Sequence, residues 1–322
     1  MRSAFKSFTD PGEFAAMLRP AKVEVIPLAC GRFVAKFAHI QLPRIRLRHM
    51  SESLPRLAHV QHPPDRAYFG FLATETSAPV MVDGMNVTAD RVLRFGPLLH
   101  SNQHSIGATQ WANISFDRAE LSYMDRSMAD QDLAACGAFG LMTPDRNAMD
   151  RLRRLHAQTV TLATGSSVAL DETEVVRALE NQLLEALMDC LGGSEQRRPT
   201  LVQTRHAMVV ERFRELLDRN LDRSLYLPEV CEALGVSRRT LSYCCQEFLG
   251  MAPKRYFFLR RIYMVRRALR QAERNLTTVT EIATRYGFWE FGRFSVQYKA
   301  LFGETPSATL RRESRESGNA GL

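Results

Sequence analysis

The 322 residues contain no apolar run approaching the ~18–20 positions of a membrane span. The opening stretch, Met1-Arg2-Ser3-Ala4-Phe5-Lys6-Ser7-Phe8-Thr9-Asp10, lacks the apolar core of a signal peptide. Both absences point to a protein of the cytoplasm, with no membrane partner. Cysteine is sparse: the six residues Cys30, Cys136, Cys190, Cys231, Cys244 and Cys245 include no C-x-x-C pair, which excludes a zinc knuckle or a dithiol redox motif. They read as reduced thiols. The vicinal Cys244-Cys245 either closes a strained disulfide under oxidation or packs one thiol in a core and leaves the other idle. G-x-S-x-G, H-E-x-x-H, G-x-x-x-x-G-K-[ST] and G-x-G-x-x-G are all missing, so nothing argues for hydrolase, zinc-protease, nucleotide or dinucleotide chemistry. His39, His49, His59, His62, His100 and His104 never form an H-x-H pair with a nearby carboxylate, and ligands must converge on one centre. No metal and no cofactor is therefore expected.

What is present is an ordinary globular composition, 45% hydrophobic and 24% charged, long enough for two domains at ~100–200 residues each. Charge is segregated. Residues 201–322 hold 21 of the 43 Lys and Arg but only 13 of the 35 Asp and Glu, so the whole net +8 of the chain lies there. A basic domain of this kind is the footprint of a phosphate-bearing or acidic partner.

Residues 20–117 carry short apolar stretches, Val23–Ile26, Arg32–Phe37 and Val80–Val82, punctuated by Gly, Pro, Asp and Asn. Asp83-Gly84 signals a tight hairpin between Val80–Val82 and Met85–Val87. This region is predicted to be β-rich, a small barrel or roll. Two amphipathic helices follow. One covers Asp145–Thr161 with stripe Met149, Leu152, Leu155 and Val160. The other covers Asp171–Leu191 with Val175, Val176, Leu179, Leu183, Leu184, Leu187, Met188 and Leu191. Such a pair serves equally as a dimer seam, with Leu179, Leu183, Leu184 and Leu187 as its candidates, or as cover for its own domain. Gly192–Thr200, with glycines, a charge cluster and Pro199, reads as a linker. The expected domains are 1–191, a linker at 192–204, a basic domain at 205–312 and a tail at 313–322.

The basic domain repeats itself. Leu227–Gly235 aligns with Val279–Gly287 at an offset of 52; at 53, Leu241, Cys245, Leu249, Gly250 and Pro253 align with Phe294, Tyr298, Phe302, Gly303 and Pro306. Two copies of one supersecondary unit result. Each reads as helix, glycine turn, helix. The first runs Leu227–Leu234, turns at Gly235, is capped by Ser237 and continues Arg238–Leu249 to Gly250. Leu241, Cys245, Phe248 and Leu249 face inward; Arg239, Ser242, Tyr243 and Gln246 face outward. In the second, Thr278 and Glu281 form a capping box before Val279–Tyr286, Gly287 turns the chain, and Phe291–Leu301 follows. There Phe294, Tyr298 and Phe302 face inward; Gly292, Arg293, Val296 and Lys299 face outward. Pro253–Ala272 is predicted to be one joining helix with inward stripe Tyr256, Phe257, Ile262, Val265 and Leu269. At 1.5 Å per residue it spans ~30 Å, close to the ~34 Å turn of B-DNA.

At these residues the chain resembles the AraC/XylS family of transcription regulators. Leu227-x-Glu229-Val230-Cys231-x-Ala233-Leu234-Gly235-Val236-Ser237-Arg238-Arg239-Thr240-Leu241 is similar to the family's first helix-turn-helix, and Tyr256-Phe257 with Arg261-Ile262 to its linker helix. Glu281-Ile282-Ala283, Tyr286-Gly287-Phe288, Phe294-Ser295 and Tyr298 through Phe302-Gly303-x-Thr305-Pro306-Ser307 resemble its second unit. Gly287–Trp289 and Leu301–Leu310 resemble a subgroup that includes ethanolamine-utilisation regulators. The chain departs from the pattern at Cys245 (Phe is usual), Tyr226 (a capping Ser or Thr, which Ser224 replaces), Val296 (polar or basic) and Glu290 (a small cap).

The resemblance implies an α+β protein. Its N-terminal domain is a β-rich, barrel- or roll-like sensor with helices, and its C-terminal domain is all-α, two helix-turn-helix units on a long helix. It implies a cytoplasmic, homodimeric transcription activator that binds promoter DNA, answers a small-molecule effector and acts with RNA polymerase. Base reading would fall to Arg239, Thr240, Ser242, Tyr243 and Arg293, more weakly to Gly292 and Val296. Phosphate anchoring would fall to Arg238, Lys254, Arg255, Arg285 and Lys299. The effector-binding residues stay unassigned. The competing class is a DNA-repair or other enzyme fused to such a module, with Cys30 or Cys136 as nucleophile.

Overall fold

The structure, a computed structural model, describes residues 2–95, 100–117, 139–165, 172–192, 194–220, 225–272 and 276–311. The chain folds as two compact units, the first of residues 1–25 and 33–203, the second of 26–32 and 204–322. The predicted tail at 313–322 and Cys136 and Ser224 lie outside the described residues.

The first unit runs β1 (Arg2–Phe8), α1 (Pro11–Met17), β2 (Lys22–Pro27), β3 (Ala35–Gln41), β4 (Ile45–Glu52), β5 (Arg56–Gln61), β6 (Arg66–Leu72), β7 (Val80–Val82), β8 (Met85–Val87), β9 (Val92–Phe95), β10 (His100–Ser105), β11 (Thr109–Asp117), β12 (Gly140–Thr143), α2 (Arg146–Thr164), α3 (Thr173–Leu191) and β13 (Glu195–Arg197). Its eight-stranded sheet has the order β1-β3-β4-β11-β6-β9-β12-β13, its five-stranded sheet β2-β5-β10-β7-β8. Period-two alternation assigns each residue of the large sheet to a face. Ala67, Phe69, Phe71, Ala112, Ile114 and Phe116 meet α2 and α3 in one core. Tyr68, Leu72 and Trp111 turn the other way, onto Val80, Val82, Met85 and Val87 of the small sheet. The unit is thus a helix layer and two stacked sheets. The hairpin at Asp83-Gly84 has φ of 45° and 76°, the doubly left-handed turn that Asp-Gly favours.

Three expectations need correction. Arg32–Val34 lie outside any strand; β3 starts at Ala35, because a short apolar run does not mark its own register. The α3 stripe is no open seam: Leu179, Leu183, Leu184 and Leu187 are buried against the large sheet of their own unit. An amphipathic stripe demands an apolar cover without naming it, and here the sheet supplies it. Glu180, also on that face, accepts hydrogen bonds from the backbone N–H of Arg44 (2.6 Å) and Ile45 (3.1 Å) and so clamps the β3–β4 turn. Inside the stretch read as a linker, Glu195–Arg197 form β13 and pair with β12. Composition marked that stretch as polar, but a polar tripeptide still joins a ladder where an edge strand is within reach.

The second unit contains α4 (Leu201–Asp218), whose first turn precedes the unit boundary, α5 (Leu227–Leu234), α6 (Arg238–Leu249), α7 (Pro253–Gln271), α8 (Val279–Arg285), α9 (Phe291–Phe302) and α10 (Pro306–Arg311). Leu241, Phe248, Leu249, Tyr256, Ile262, Val265, Leu269, Phe294 and Tyr298 are buried, as their periodicity requires, whereas Phe257 and Phe302 are only half-buried. Cys244 and Cys245 are both fully buried free thiols. They form no disulfide and neither is idle; helix geometry lets adjacent residues both reach the core when it wraps that side of the helix. Burial pushes the Cys244 thiol up to about 11 and raises that of Cys245 further, so both stay protonated and unreactive.

Candidate nucleic-acid interface

The first unit of the repeat is set by local chemistry. Gly235 ends α5 at φ 66°, where an L side chain is strained. Two residues on, Ser237 Oγ accepts from Thr240 N–H at 3.0 Å and starts α6. With Leu241, Cys244, Cys245 and Phe248 buried, the opposite side of α6 is fixed: Arg238, Arg239, Thr240 and Tyr243 are exposed and Ser242 is half-buried. The Thr240 hydroxyl lies 2.8 Å from Ser237 Oγ, so it shares the cap. The Tyr243 ring stands edge-on to His206 of α4, 5.3 Å between centroids, and His206 Nδ1 is 2.6 Å from Glu247 Oε2. Sequence reading does not reach that support, because His206 on α4 lies far along the chain from Tyr243 and Glu247 on α6. Arg238 and Lys254 line one apolar cleft of about 220 Å³ with Phe213, Leu217 and Phe257. The structure therefore brings two of the phosphate candidates together.

The second unit is thinner in polar groups. The Thr278–Glu281 capping box is formed, Glu281 accepting from Thr278 N–H at 2.8 Å and Thr278 Oγ1 from Glu281 N–H at 3.2 Å. The Thr278 hydrogen bonds hold the Glu281 carboxyl below the usual carboxylate range. Gly287 turns at φ 73°. Tyr226 before α5 and Glu290 before α9 make no side-chain cap. On the outward side of α9, Gly292, Arg293, Val296 and Lys299 are exposed. A Cβ at Gly292 would meet nothing within 4 Å, and Val296 is 71% exposed. Arg293 lies 3.6 Å from its own Glu290. Arg255 and Arg285 are exposed as well.

Two arginines of α7 belong elsewhere. Arg260 bonds Asp218 of α4 at 2.6 Å. Arg261 donates to the Tyr286 carbonyl at 2.5 Å and lies over the rings of Phe257 and Phe288. Both are buried, so α7 tethers α4 on one side and the α8 turn on the other. The charge count of the sequence thus overstates what faces solvent.

The first unit of the chain holds a separate cavity of about 60 Å³, lined among others by Arg48, Glu52, Arg56, His62, Tyr68, Phe95, Trp111 and Asn113. None of these was singled out as an effector residue, since strands β4, β5, β6, β9 and β11 and the residue after β5 gather them from across the sequence. His62 alone was noted, as a histidine without a ligand pattern.

A tandem of capped helix-turn-helix units on one joining helix defines a class of DNA-binding fold. The family described as "Helix-turn-helix domain" matches residues 230–312. Over 118 residues the chain is 34% identical to XylDLEGF operon transcriptional activator 2 of Pseudomonas putida, covering 35% of this chain and 75% of that protein. Over 106 residues it is 36% identical to the XylDLEGF operon transcriptional activator of the same organism, 33% of each chain. Over 161 residues it is 32% identical to the "Probable thc operon regulatory protein" of Rhodococcus erythropolis, 48% of each chain. The chain belongs to the AraC/XylS family. In the second of these relatives the likeness spans only a third of the protein's length.

Proposed function

We propose that this protein is a sequence-specific, DNA-binding transcription activator whose first unit senses a small molecule. The observation that carries the reading is the pair of helix-turn-helix units, each presenting an exposed helix face, within the part of the chain that holds the entire charge excess. Arg239, Thr240, Ser242 and Tyr243 read bases in one major-groove segment and Arg293, with Gly292 and Val296 beside it, in the next. Arg238, Lys254, Arg255, Arg285 and Lys299 anchor phosphates. The protein works in the cytoplasm as a homodimer with RNA polymerase; no helix among the described residues is long and apolar enough to cross a membrane. A dimer contact, with α3 covered, draws on another surface of the first unit. The cavity supports the effector reading, since a ligand bound only in the DNA-competent arrangement shifts the population towards it. The likeness to ethanolamine-utilisation regulators lies at the DNA-binding end and assigns no effector. The relatives bear regulator names, which favours this reading over a fused repair enzyme; Cys30 is an exposed free thiol, without a base bonded to it in the described hydrogen bonds.

The test is duplex binding by the full chain across a salt series. Five phosphate-anchoring cations in each protomer give a slope of about −4.5 per bound protomer, or about −9 for a dimer engaged through both, in log K against log salt. A chain that binds no duplex at low salt, or binds without salt dependence, overturns the assignment.

A further inference from the structure

A carboxylate ends a row of side chains on α6 that includes two of the base-reading candidates. Arg239, Tyr243 and Glu247 are spaced four apart, so they follow one another on successive turns. A charge of that sign beside a DNA-facing surface opposes phosphate. The structure engages it from α4. His206 Nδ1 donates to Glu247 Oε2 at 2.6 Å. An ionised carboxylate only accepts, so the hydrogen sits on Nδ1 and the ring is held in place by that bond.

The same ring makes a second contact. It meets the Tyr243 ring at 5.3 Å between centroids with 67° between the planes, an edge-to-face pair at a favourable separation. His206 and Glu247 are 17% and 20% exposed, whereas Tyr243 is 61% exposed. The pair is therefore set into the body of the domain, and the tyrosine leans on it while most of its surface faces solvent. Both supports are themselves anchored. Leu241, Cys244, Cys245 and Phe248 bury the inner side of α6, and Val210, Phe213 and Leu217 bury that of α4. Arg260 adds an ion pair to Asp218 of α4 at 2.6 Å.

An exposed tyrosine without such a neighbour samples several staggered rotamers, and only some of them meet a given base edge. Ordering a side chain of this kind at the moment of binding weakens its contact by roughly two- to twelvefold. That loss falls on a duplex carrying the right base pair, where the contact is made. A duplex without that pair loses nothing, so the cost appears as discrimination and not as general affinity.

We propose that the Glu247–His206 pair positions Tyr243 for base reading. Glu247 orients the His206 ring, and that ring holds the Tyr243 side chain in its DNA-facing place. His206 is a positioning residue, supplied by a helix ahead of the repeated units, and base preference at one position depends on it. The inference rests on the reading of Tyr243 as a base contact.

The test selects preferred duplexes from a random pool with the full chain and its Tyr243→Ala, His206→Ala and double variants, and with Glu247→Ala beside Glu247→Gln. The best site and its single-base changes are then titrated, and thermal midpoints recorded. Tyr243→Ala is expected to relax preference at a defined base pair. His206→Ala is expected to relax it at that same pair by about two- to twelvefold, with preference elsewhere intact. The double variant is expected to lose no more than Tyr243→Ala alone, since nothing remains to be positioned. Glu247→Ala should resemble His206→Ala, and Glu247→Gln, which keeps an acceptor for Nδ1–H, should restore the parent preference. If His206→Ala is too unstable to assay, the two Glu247 variants decide the same point. Losses that add in the double variant overturn the positioning role and leave Tyr243 as a base reader. So does a His206→Ala or Glu247→Ala that keeps the parent preferences, whether or not it binds every sequence more weakly. A Tyr243→Ala with the parent's preference at every position overturns base reading at Tyr243, and the positioning with it.

Discussion

Removing one arginine from each outward helix face is expected to separate the two proposed DNA-reading units. Arg239 sits on the second residue of α6, exposed, just after the Ser237 cap. A bidentate arginine–guanine contact discriminates by about 1–3 kcal/mol, so Arg239→Ala is expected to relax base preference at one position by ~5- to 150-fold. Arg293 starts from a different place. It is 72% exposed and lies 3.6 Å from Glu290, itself 77% exposed. An exposed pair of this kind is worth about 0–1 kcal/mol, which a guanine contact would have to give up. Its neighbours Gly292 and Val296 add no polar group, so backbone and shape contacts carry more of the reading there. Arg293→Ala should therefore cost up to ~1 kcal/mol less, in the other segment. The assay is selection of preferred duplexes from a random pool by the parent and both variants. If the two variants lose preference at the same base pairs, or Arg239→Ala lowers affinity uniformly over all sequences, the two-groove reasoning fails.

Leu183, fully buried between α3 and the large sheet, is expected to cost about 2–5 kcal/mol on truncation to alanine; denaturation checks the loss, and sedimentation of the same variant should show the parent's oligomeric state. A change to monomer with unaltered stability would restore α3 as a seam. Burial lowers His62 to about 4 and His156 to about 3 from 6.5. The unfolded chain takes up those protons first, so this stability is complete above about pH 6.5 and is lost as pH falls from there towards 4 for His62 and towards 3 for His156. The thermal midpoint at pH 5 should lie below that at pH 7, and a flat profile would refute the assignment. Val296 presents its methyl groups on the outer side of α9, a surface suited to the thymine methyl. Replacing thymine by uracil in the second segment should weaken the parent about two- to fivefold and leave Val296→Ala unmoved, as read in a binding titration; equal sensitivity in both would dismiss the contact.

The helix-turn-helix pair was legible because every step that builds it is local. Ser237, the Thr278–Glu281 box and the glycines at 235, 250, 287 and 303 act within a few residues of themselves, and in the structure α6 and α8 begin, and α5, α6 and α9 end, at positions those signals mark. The Asp83-Gly84 hairpin was legible for the same reason. The cavity was not. Glu52, His62 and Asn113 come from different parts of the first unit, and nothing near any of them in the chain announces that these residues line one space.

The sequence by itself determined where the helices of the repeated units and their joining helix lie, which of their faces are apolar, and that the charge excess resides there, since capping, φ preference and period are properties of neighbouring residues; it did not announce α4 or α10. Only the tertiary structure decided what covers each apolar face and which charges remain at the surface. The α3 leucines met their own sheet rather than a second copy, and Cys244 and Cys245 both went inward. Arg260 and Arg261 were drawn into the body to bind Asp218 and the Tyr286 carbonyl. Burial is a relation between segments far apart in the chain, and a periodic pattern states the need for a partner without specifying which one meets it.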